Sequence, residues 1–194
     1  MANEFYALLG RMRYITRWGL MRNSFSENIQ EHSHQVAVLA HALALIRRDI
    51  LGLDAPDPDR CAVAGLYHDA SEILTGDMPT PIKYYNSTIK NAYKQVERIA
   101  NNRLLDILPD QLRAAYKPYL LEEDHRVERI VKAADKLAAY IKCIEEQKAG
   151  NLEFESAARQ TLASMHDMQC EELEWFISQC LPAFSQNLDE LGIM

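Results

Sequence analysis

The stretch VERIVKAADKLAAYIKCI, residues 127–144, decides the fold class of this chain. Its apolar residues recur every three or four positions, at Val127, Ile130, Val131, Ala134, Leu137, Ala138, Ile141 and Ile144. This spacing places them on one face of an α-helix, because a helix completes a turn in about 3.6 residues. Gly150 lies just beyond the stretch and predicts the end of the helix. The stretch therefore predicts a long helix with one buried face.

The same periodicity recurs along most of the chain, interrupted by few glycines and prolines. Helices are predicted over residues 4–12, 28–50, 58–74, 87–108, 111–120, 127–150 and 153–180. A loop is predicted over residues 77–81, because Pro79 and Pro81 each restrict the residue before them. No segment alternates apolar and polar residues over a useful length. We therefore predict an all-α fold, a bundle of about six to eight helices in a single domain over residues 1–194.

Charge and cysteine content narrow the class of partner. The chain has 28 acidic and 21 basic residues, a net charge of −7 and an isoelectric point near 5.4. Without a block of Lys or Arg, a nucleic-acid polymer is not the expected partner. The longest nearly apolar run, residues 36–46, is too short to cross a bilayer. Four distant cysteines without a CxxC pair, and no secretory signal, predict free thiols and a cytoplasmic location.

The segment LYHDASE, residues 66–72, places three polar residues in an apolar helix. On a continuous helix His68 and Glu72 lie one turn apart, and Asp69 lies about 100° round the axis. Burying this cluster without partners is costly, and a divalent cation would offset that cost. The alternative is a solvated polar face on a surface helix.

Two further candidates come from distant parts of the chain. His32 opens the second predicted helix, and Asp135 lies among small apolar residues in the stretch 127–144. Taken alone, Asp135 is more often a surface charge or an ion-pair partner. Combined with His68 and Asp69, the two residues give a set of imidazoles and carboxylates suited to a divalent metal.

The order His, His-Asp, Asp resembles the HD-domain metal-dependent phosphohydrolases, and more narrowly the YfbR-like bacterial 5′-deoxynucleotidases. The motifs that carry the resemblance are RW (17–18), LMRN (20–23), EN (27–28), EHS (31–33), YHDASE (67–72), LTGDMPTP (74–81), ADKL (134–137) and AY (139–140). The resemblance runs in the same order through most of the chain. It implies an all-helical fold and a homodimer.

The resemblance also assigns roles to residues. The implied ligands of one divalent ion are His32, His68, Asp69 and Asp135. The implied catalytic residues are Glu72, Arg17 and Asp69. The implied substrate-binding residues are Arg17, Trp18, His32, Asp69, Asp77, Met78, Pro79, Thr80 and Asp135. In this scheme Arg17 orients the phosphate, Trp18 lies against the sugar, and the loop 77–80 holds the nucleoside.

Independent chemistry agrees with these roles. Two imidazoles and two carboxylates suit Co²⁺ or Mn²⁺ better than Mg²⁺, which prefers oxygen ligands and its own waters. The Arg17 guanidinium can stabilise charge on phosphate oxygens. An indole at Trp18 would desolvate a ribose 2′-hydroxyl and so favour deoxyribose. His34 lies two positions after His32, which points it away from the cluster.

The sequence therefore predicts a metal-dependent phosphomonoesterase that converts deoxyribonucleoside 5′-monophosphates to deoxynucleoside and phosphate. Two alternatives stay open. One is an HD phosphohydrolase acting on a triphosphate, a cyclic nucleotide or a guanosine polyphosphate. The other is a helical module that binds the metal without turnover. The sequence leaves open whether Glu72 acts as an acid or as a base.

Overall fold

The computed structural model describes residues 3–83 and 85–192 of the chain. Its α-helices are α1 (Phe5–Leu9), α2 (Ile29–Leu45), α3 (Pro58–Tyr67), α4 (Glu72–Thr75), α5 (Thr80–Lys83), α6 (Ser87–Ile107), α7 (Asp110–Leu120), α8 (His125–Lys148), α9 (Glu155–His166) and α10 (Glu171–Gln179). No strand occurs in these ranges, and Thr16 and Asn28 form an isolated antiparallel bridge. The all-α prediction is confirmed. Seven of the described helices have nine residues or more, within the predicted number.

The starts of α2 and α3 follow directly from their first residues. Asn28 accepts a hydrogen bond from the Glu31 amide, and the Glu31 side chain accepts one from the Asn28 amide. This reciprocal cap satisfies two amides that have no partner within the helix. At α3 the Asp57 side chain accepts a hydrogen bond from the Asp59 amide, and Pro58 occupies the first position of the helix. The cap fixes the start of α2, and with it the position of His32, one turn into the helix.

The predicted continuous helix over residues 58–74 is wrong at residues 68–71, which separate α3 from α4. The chain turns at residues 68–71, where backbone hydrogen bonds join residues three apart, such as Ala70 N to Tyr67 O. His68 Nδ1 donates to the Gly65 carbonyl at 2.8 Å. A side chain that takes a helical carbonyl competes with the continuing helix. His68 and Asp69 therefore lie on a turn between α3 and α4, and Glu72 begins α4.

Other predicted boundaries also differ from the structure. The predicted helix 153–180 is divided into α9 and α10, with Gln169 between them at φ 49°, in the left-handed region. The predicted helix 4–12 ends as α1 at Leu9 and continues as a 3₁₀ turn, Gly10–Tyr14. The predicted loop 77–81 is helical from Thr80, since α5 holds proline in its first turn, where the missing amide costs nothing.

The core lies among α2, α3 and α8. Its fully buried side chains include Val36, Leu43, Cys61, Ile130, Ala134, Leu137 and Ile141. Gly65 of α3 packs directly on α2, because a Cβ at Gly65 would lie 2.8 Å from the Ala37 Cα. Only glycine permits so close an approach of two helical backbones. This contact brings the start of α2 beside the end of α3.

The four cysteines are free, as predicted. Cys61, Cys143 and Cys170 are buried, and Cys180 is partly buried. Burial raises the pKa of Cys61, Cys143 and Cys170 to about 12, so these thiols stay protonated near neutral pH. Within residues 3–83 and 85–192, no helix combines the length and apolar character needed to cross a membrane.

Candidate active site

Four predicted ligands from three parts of the fold converge at one point. His32 comes from α2, His68 and Asp69 from the turn after α3, and Asp135 from α8. His32 Nε2 lies 3.0 Å from Asp135 Oδ1 and 3.6 Å from Asp69 Oδ2. His68 Nε2 lies 3.0 Å from Asp69 Oδ2. One ligand atom each of His32, His68 and Asp135 lies within 4.8 Å of the other two.

The burial and charge of this cluster fit a divalent cation. The His32 side chain is fully buried, and its Nδ1 has no hydrogen-bond partner among the described residues. Burial lowers the pKa of His68, but Asp69 and Asp135 outweigh this and raise it to about 9. Burial raises the pKa of Asp69, but the imidazoles of His68 and His32 outweigh this and lower it. Nitrogen and carboxylate donors held this close together are the donor set of a divalent metal.

Arg17 lies beside the cluster. Its Nη1 is 3.6 Å from Asp69 Oδ2, and its Nε donates to Glu27 Oε2 at 3.0 Å. The side chain is only 12% exposed. The buried guanidinium partly offsets the negative charge of the Glu27 and Asp69 carboxylates. The structure therefore places the guanidinium of Arg17 next to the predicted ligands.

Trp18 has an unusual backbone. Its φ is 58°, in the left-handed region that a bulky residue rarely adopts. Its indole Nε1 donates to Glu27 Oε2 at 2.9 Å. Its ring packs on Phe154, with centroids 5.3 Å apart. The hydrogen bond at the indole nitrogen and the packing on Phe154 hold Trp18 in this conformation.

Glu72 is the first residue of α4 and is 4% exposed. Its Oε2 has no hydrogen-bond partner among the described residues. Burial raises the pKa of Glu72, and the carboxylates of Asp69 and Asp77 add to this effect. Those three carboxyl groups therefore lie within electrostatic reach of one another, and Glu72 favours its protonated form.

The predicted nucleoside loop follows α4 directly. Gly76 has a φ of 70°, which permits the sharp turn after the helix. Asp77, Met78 and Pro79 are half-buried, and Thr80 is exposed at the start of α5. Burial raises the pKa of Asp77, although the charge of Arg17 acts to lower it. Asp77 therefore lies within electrostatic reach of Arg17.

Two residues near the site received no role from the sequence. Glu27 accepts hydrogen bonds from Arg17 and Trp18, and Gly65 sets the distance between α2 and α3. The quoted EN motif contains Glu27, but a carboxylate in a short polar segment gives no sign of its partners. His34, as predicted, points elsewhere, since it is exposed on α2.

A family model of YfbR-like 5′-deoxynucleotidases matches residues 4–184. The chain belongs to the YfbR-like family. Among the relatives of this YfbR-like protein, the 5′-deoxynucleotidase of Erwinia tasmaniensis is 46% identical over 192 residues. The alignment covers 98% of this chain and 96% of the relative.

Solved structures place the YfbR-like chain among HD-domain proteins by fold. An HD-domain phosphohydrolase from Listeria innocua superposes with a TM-score of 0.79 at 21% identity, covering 93% of this chain and 88% of that one. The HD phosphohydrolase DatZ of cyanophage S-2L, bound to dA and one catalytic Zn²⁺ ion, gives a TM-score of 0.66 at 17% identity, covering 91% and 95%. The predicted HD-domain helical bundle is therefore confirmed.

Proposed function

We propose that this YfbR-like protein is a metal-dependent 5′-deoxynucleotidase, which hydrolyses deoxyribonucleoside 5′-monophosphates to deoxynucleoside and phosphate. The observation that carries the proposal is the convergence of His32, His68, Asp69 and Asp135, with the Arg17 guanidinium 3.6 Å from Asp69. The name of the Erwinia relative gives the same activity. DatZ, which shares the fold, holds a deoxynucleoside and a zinc ion.

The four converging residues would hold one divalent ion. When bound, such an ion lowers the pKa of water towards neutrality and polarises a phosphoryl oxygen. The two imidazoles favour Co²⁺ or Mn²⁺ over Mg²⁺. Because these side chains come from α2, the turn after α3 and α8, the ion would also join three parts of the fold.

Arg17 and Glu72 would act on the phosphate monoester itself. The Arg17 guanidinium would bind two phosphate oxygens and stabilise their charge as the ester bond breaks. The Glu72 carboxyl would exchange a proton with the attacking water or with the leaving 5′-oxygen. Proton transfer of this kind contributes roughly 10²–10⁴-fold in rate. The buried Glu72 Oε2, which has no partner among the described residues, suits that role.

Trp18 and the loop 77–80 would select the sugar and hold the nucleoside. An indole against the 2′ carbon would leave a ribose 2′-hydroxyl without a partner, at a cost of about 1–3 kcal/mol. Asp77 would accept a hydrogen bond from the 3′-hydroxyl, while Met78, Pro79 and Thr80 would line the nucleoside. These contacts would favour deoxyribose. The Arg17-Trp18 pair and the loop 77–80 also match the pattern of the monophosphatases, which favours a monophosphate over a triphosphate or a cyclic nucleotide.

The proposal extends to the state of the protein. We propose a single domain over residues 1–194 that works as a homodimer in the cytoplasm. The match of one family model to residues 4–184 supports the single domain, and the free thiols suit a reducing compartment. Light scattering coupled to size-exclusion chromatography would measure the oligomeric state. A monomer at micromolar concentration would contradict the dimer.

Phosphate release after metal removal and replacement tests the activity. The substrates are dAMP, AMP, dATP and a cyclic dinucleotide, each assayed with Co²⁺, Mn²⁺ or Mg²⁺. We expect release from dAMP above the others, highest with Co²⁺ or Mn²⁺. Faster turnover of dATP or the cyclic dinucleotide would contradict the proposal, as would metal binding without release from any substrate.

The two histidines near the start of α2 provide a matched pair of variants. His32→Asn removes a buried member of the cluster, and His34→Asn removes an exposed imidazole two residues away. We expect His32→Asn to lose activity and His34→Asn to keep it. Equal activity in both variants would remove His32 from the site.

A further inference from the structure

Glu27 is a buried carboxylate to which the proposed reaction gives no part. It is 8% exposed and lies in the segment just before α2. Its Oε2 accepts hydrogen bonds from Arg17 Nε at 3.0 Å and from Trp18 Nε1 at 2.9 Å. One oxygen atom thus joins the residue proposed to bind the phosphate to the residue proposed to face the sugar.

The backbone fixes Glu27 relative to the same two residues. Its carbonyl accepts a hydrogen bond from the Arg17 amide at 2.9 Å. Thr16, which precedes Arg17, and Asn28, which follows Glu27, form an antiparallel bridge. The side chain of Glu27 therefore starts from a backbone position set by Arg17 itself, so it has little freedom to move away.

The hydrogen bond to Arg17 decides which edge of the guanidinium faces the site. Glu27 occupies Nε, and Nη1 points to Asp69 at 3.6 Å. A guanidinium donates through a rigid planar fork, so fixing one nitrogen orients the others. The terminal nitrogens are thereby left for a phosphate beside the cluster.

The hydrogen bond to Trp18 supports an unfavourable conformation. A tryptophan at φ 58° persists only when its surroundings hold it there. Phe154 contacts the ring, and Glu27 takes the one polar atom of the indole. Without the carboxylate, the indole has packing on one side and no bond to fix its rotation.

We propose that Glu27 is a positioning residue that holds Arg17 and Trp18 in register with each other. Its single acceptor atom couples the orientation of the phosphate to the selection of deoxyribose. This inference rests on the proposed function of the site. It implies that a change at Glu27 alters turnover and sugar preference together, although Glu27 touches neither phosphate nor sugar.

Kinetics of Glu27→Gln, which keeps the shape of the side chain and removes its charge, test the coupling. We expect kcat/KM for dAMP to fall about 10- to 100-fold, since small misplacements of binding groups cost this much. We expect the preference for dAMP over AMP to narrow in the same variant. Glu153→Gln is the control, because Glu153 contacts the same segment through the Arg22 amide but neither Arg17 nor Trp18. Glu153→Gln should keep the wild-type kcat/KM for dAMP and the wild-type preference for dAMP over AMP.

A double-mutant cycle distinguishes a positioning role of Glu27 from a general loss of rigidity in the site. Trp18→Phe removes the indole donor and keeps a ring, and it tests the same hydrogen bond if Glu27→Gln folds poorly. In the Trp18→Phe background, Glu27→Gln should no longer change the dAMP to AMP ratio, while it should still lower turnover through Arg17. An unchanged effect on the ratio in that background would overturn the inference.

Tryptophan fluorescence provides a readout that does not depend on activity. The chain has two tryptophans, so Trp175→Phe leaves Trp18 as the reporter. Glu27→Gln should shift the Trp18 emission, and Glu153→Gln should not. A shift in a protein that releases no phosphate from dAMP would support the positioning and reject the proposed function. Normal turnover and normal sugar preference in Glu27→Gln would overturn the positioning and leave the proposed function intact.

Discussion

His32 and His34 lie two residues apart on α2 in opposite environments. His32 is fully buried in the cluster, and His34 is exposed. Two helical positions rotate a side chain by about 200°, so the two imidazoles cannot share one site. This difference was predictable from the sequence because it depends only on helical period and on the cap that begins α2.

Trp18 allows a test of sugar selection at the level of one side chain. We expect Trp18→Ala to narrow the preference for dAMP over AMP by about 1–3 kcal/mol, since the 2′-hydroxyl would then reach water. Steady-state kinetics with both nucleotides measure the ratio of kcat/KM values. A ratio equal to that of the wild type would show that other residues select the sugar.

The contact between α2 and α3 depends on Gly65. A methyl group there would lie 2.8 Å from the Ala37 Cα and 2.9 Å from its amide nitrogen. We expect Gly65→Ala to destabilise the fold by about 1–3 kcal/mol, because the helices must separate. Denaturant unfolding measures the loss. Gly10→Ala is the control, since nothing lies within 4 Å of a Cβ at Gly10, and it should change stability little.

A buried ion pair joins α8 to the segment that leads to Glu27. Lys142 and Glu146 are almost fully buried and bonded to each other. Glu146 also accepts from the Ser24 amide and from Asn151, and Lys142 donates to the Phe25 carbonyl. Although the pair gives no catalytic group, it fixes the segment whose end carries the positioning carboxylate.

This pair makes stability depend on pH. Burial raises the pKa of Glu146, but Lys142 and Asn151 outweigh this and lower it from an ordinary 4.5 to about 2. A carboxyl whose pKa is lowered by folding adds stability above its unfolded pKa and loses it as pH falls towards the folded value. We therefore expect part of the unfolding free energy to disappear between about pH 4.5 and pH 2.

Urea unfolding across that pH range checks the expectation in the wild type and in Glu146→Gln. Glu146→Gln should have a lower free energy of unfolding than the wild type near neutral pH. Its free energy of unfolding should also fall less on acidification. Glu128→Gln, which removes a carboxylate paired with Lys132 on the exposed side of α8, is the matched control and should cost less than about 1 kcal/mol. Parallel pH curves for the wild type and Glu146→Gln would contradict the assignment.

Most elements followed from sequence, and the exceptions have physical reasons. The periodic stripe of α8 and the cap of α2 determine their helices, because each depends on local residues. The break at residues 68–71 does not, since it involves a side chain bonded to a backbone carbonyl. The break near Gln169 likewise depends on a backbone angle that glutamine rarely adopts.

For the whole molecule, the cluster joins parts of the chain that are distant in sequence. We expect Co²⁺ or Mn²⁺ to raise the melting temperature by about 5–10 °C at a hundred times its dissociation constant, because it binds only the folded chain. Asp69→Asn should lose this shift, metal content and activity while keeping a helical circular dichroism spectrum. Undiminished phosphate release from Asp69→Asn would remove Asp69 from the site.

The predicted ligand residues could be found from the sequence, whereas the residues that hold the site in place could not. His68 and Asp69 stand out as polar residues among apolar ones, and the family motifs bring in His32 and Asp135. Glu27 and Gly65 do not stand out, because their importance lies in neighbours that only the folded chain supplies. A sequence pattern reports the chemistry a residue offers, whereas its partners depend on distances across the whole bundle.

The left-handed backbone of Trp18 reverses the usual order of stability between alanine and glycine variants. Alanine normally gives a more stable protein than glycine, yet a residue with a side chain at φ 58° bears a strain of roughly 1–2 kcal/mol that glycine escapes. We therefore expect thermal melts to give a higher melting temperature for Trp18→Gly than for Trp18→Ala. Position 18 thus combines backbone strain with an aromatic ring, so the contact proposed between Trp18 and the sugar and the stability of the fold favour different residues.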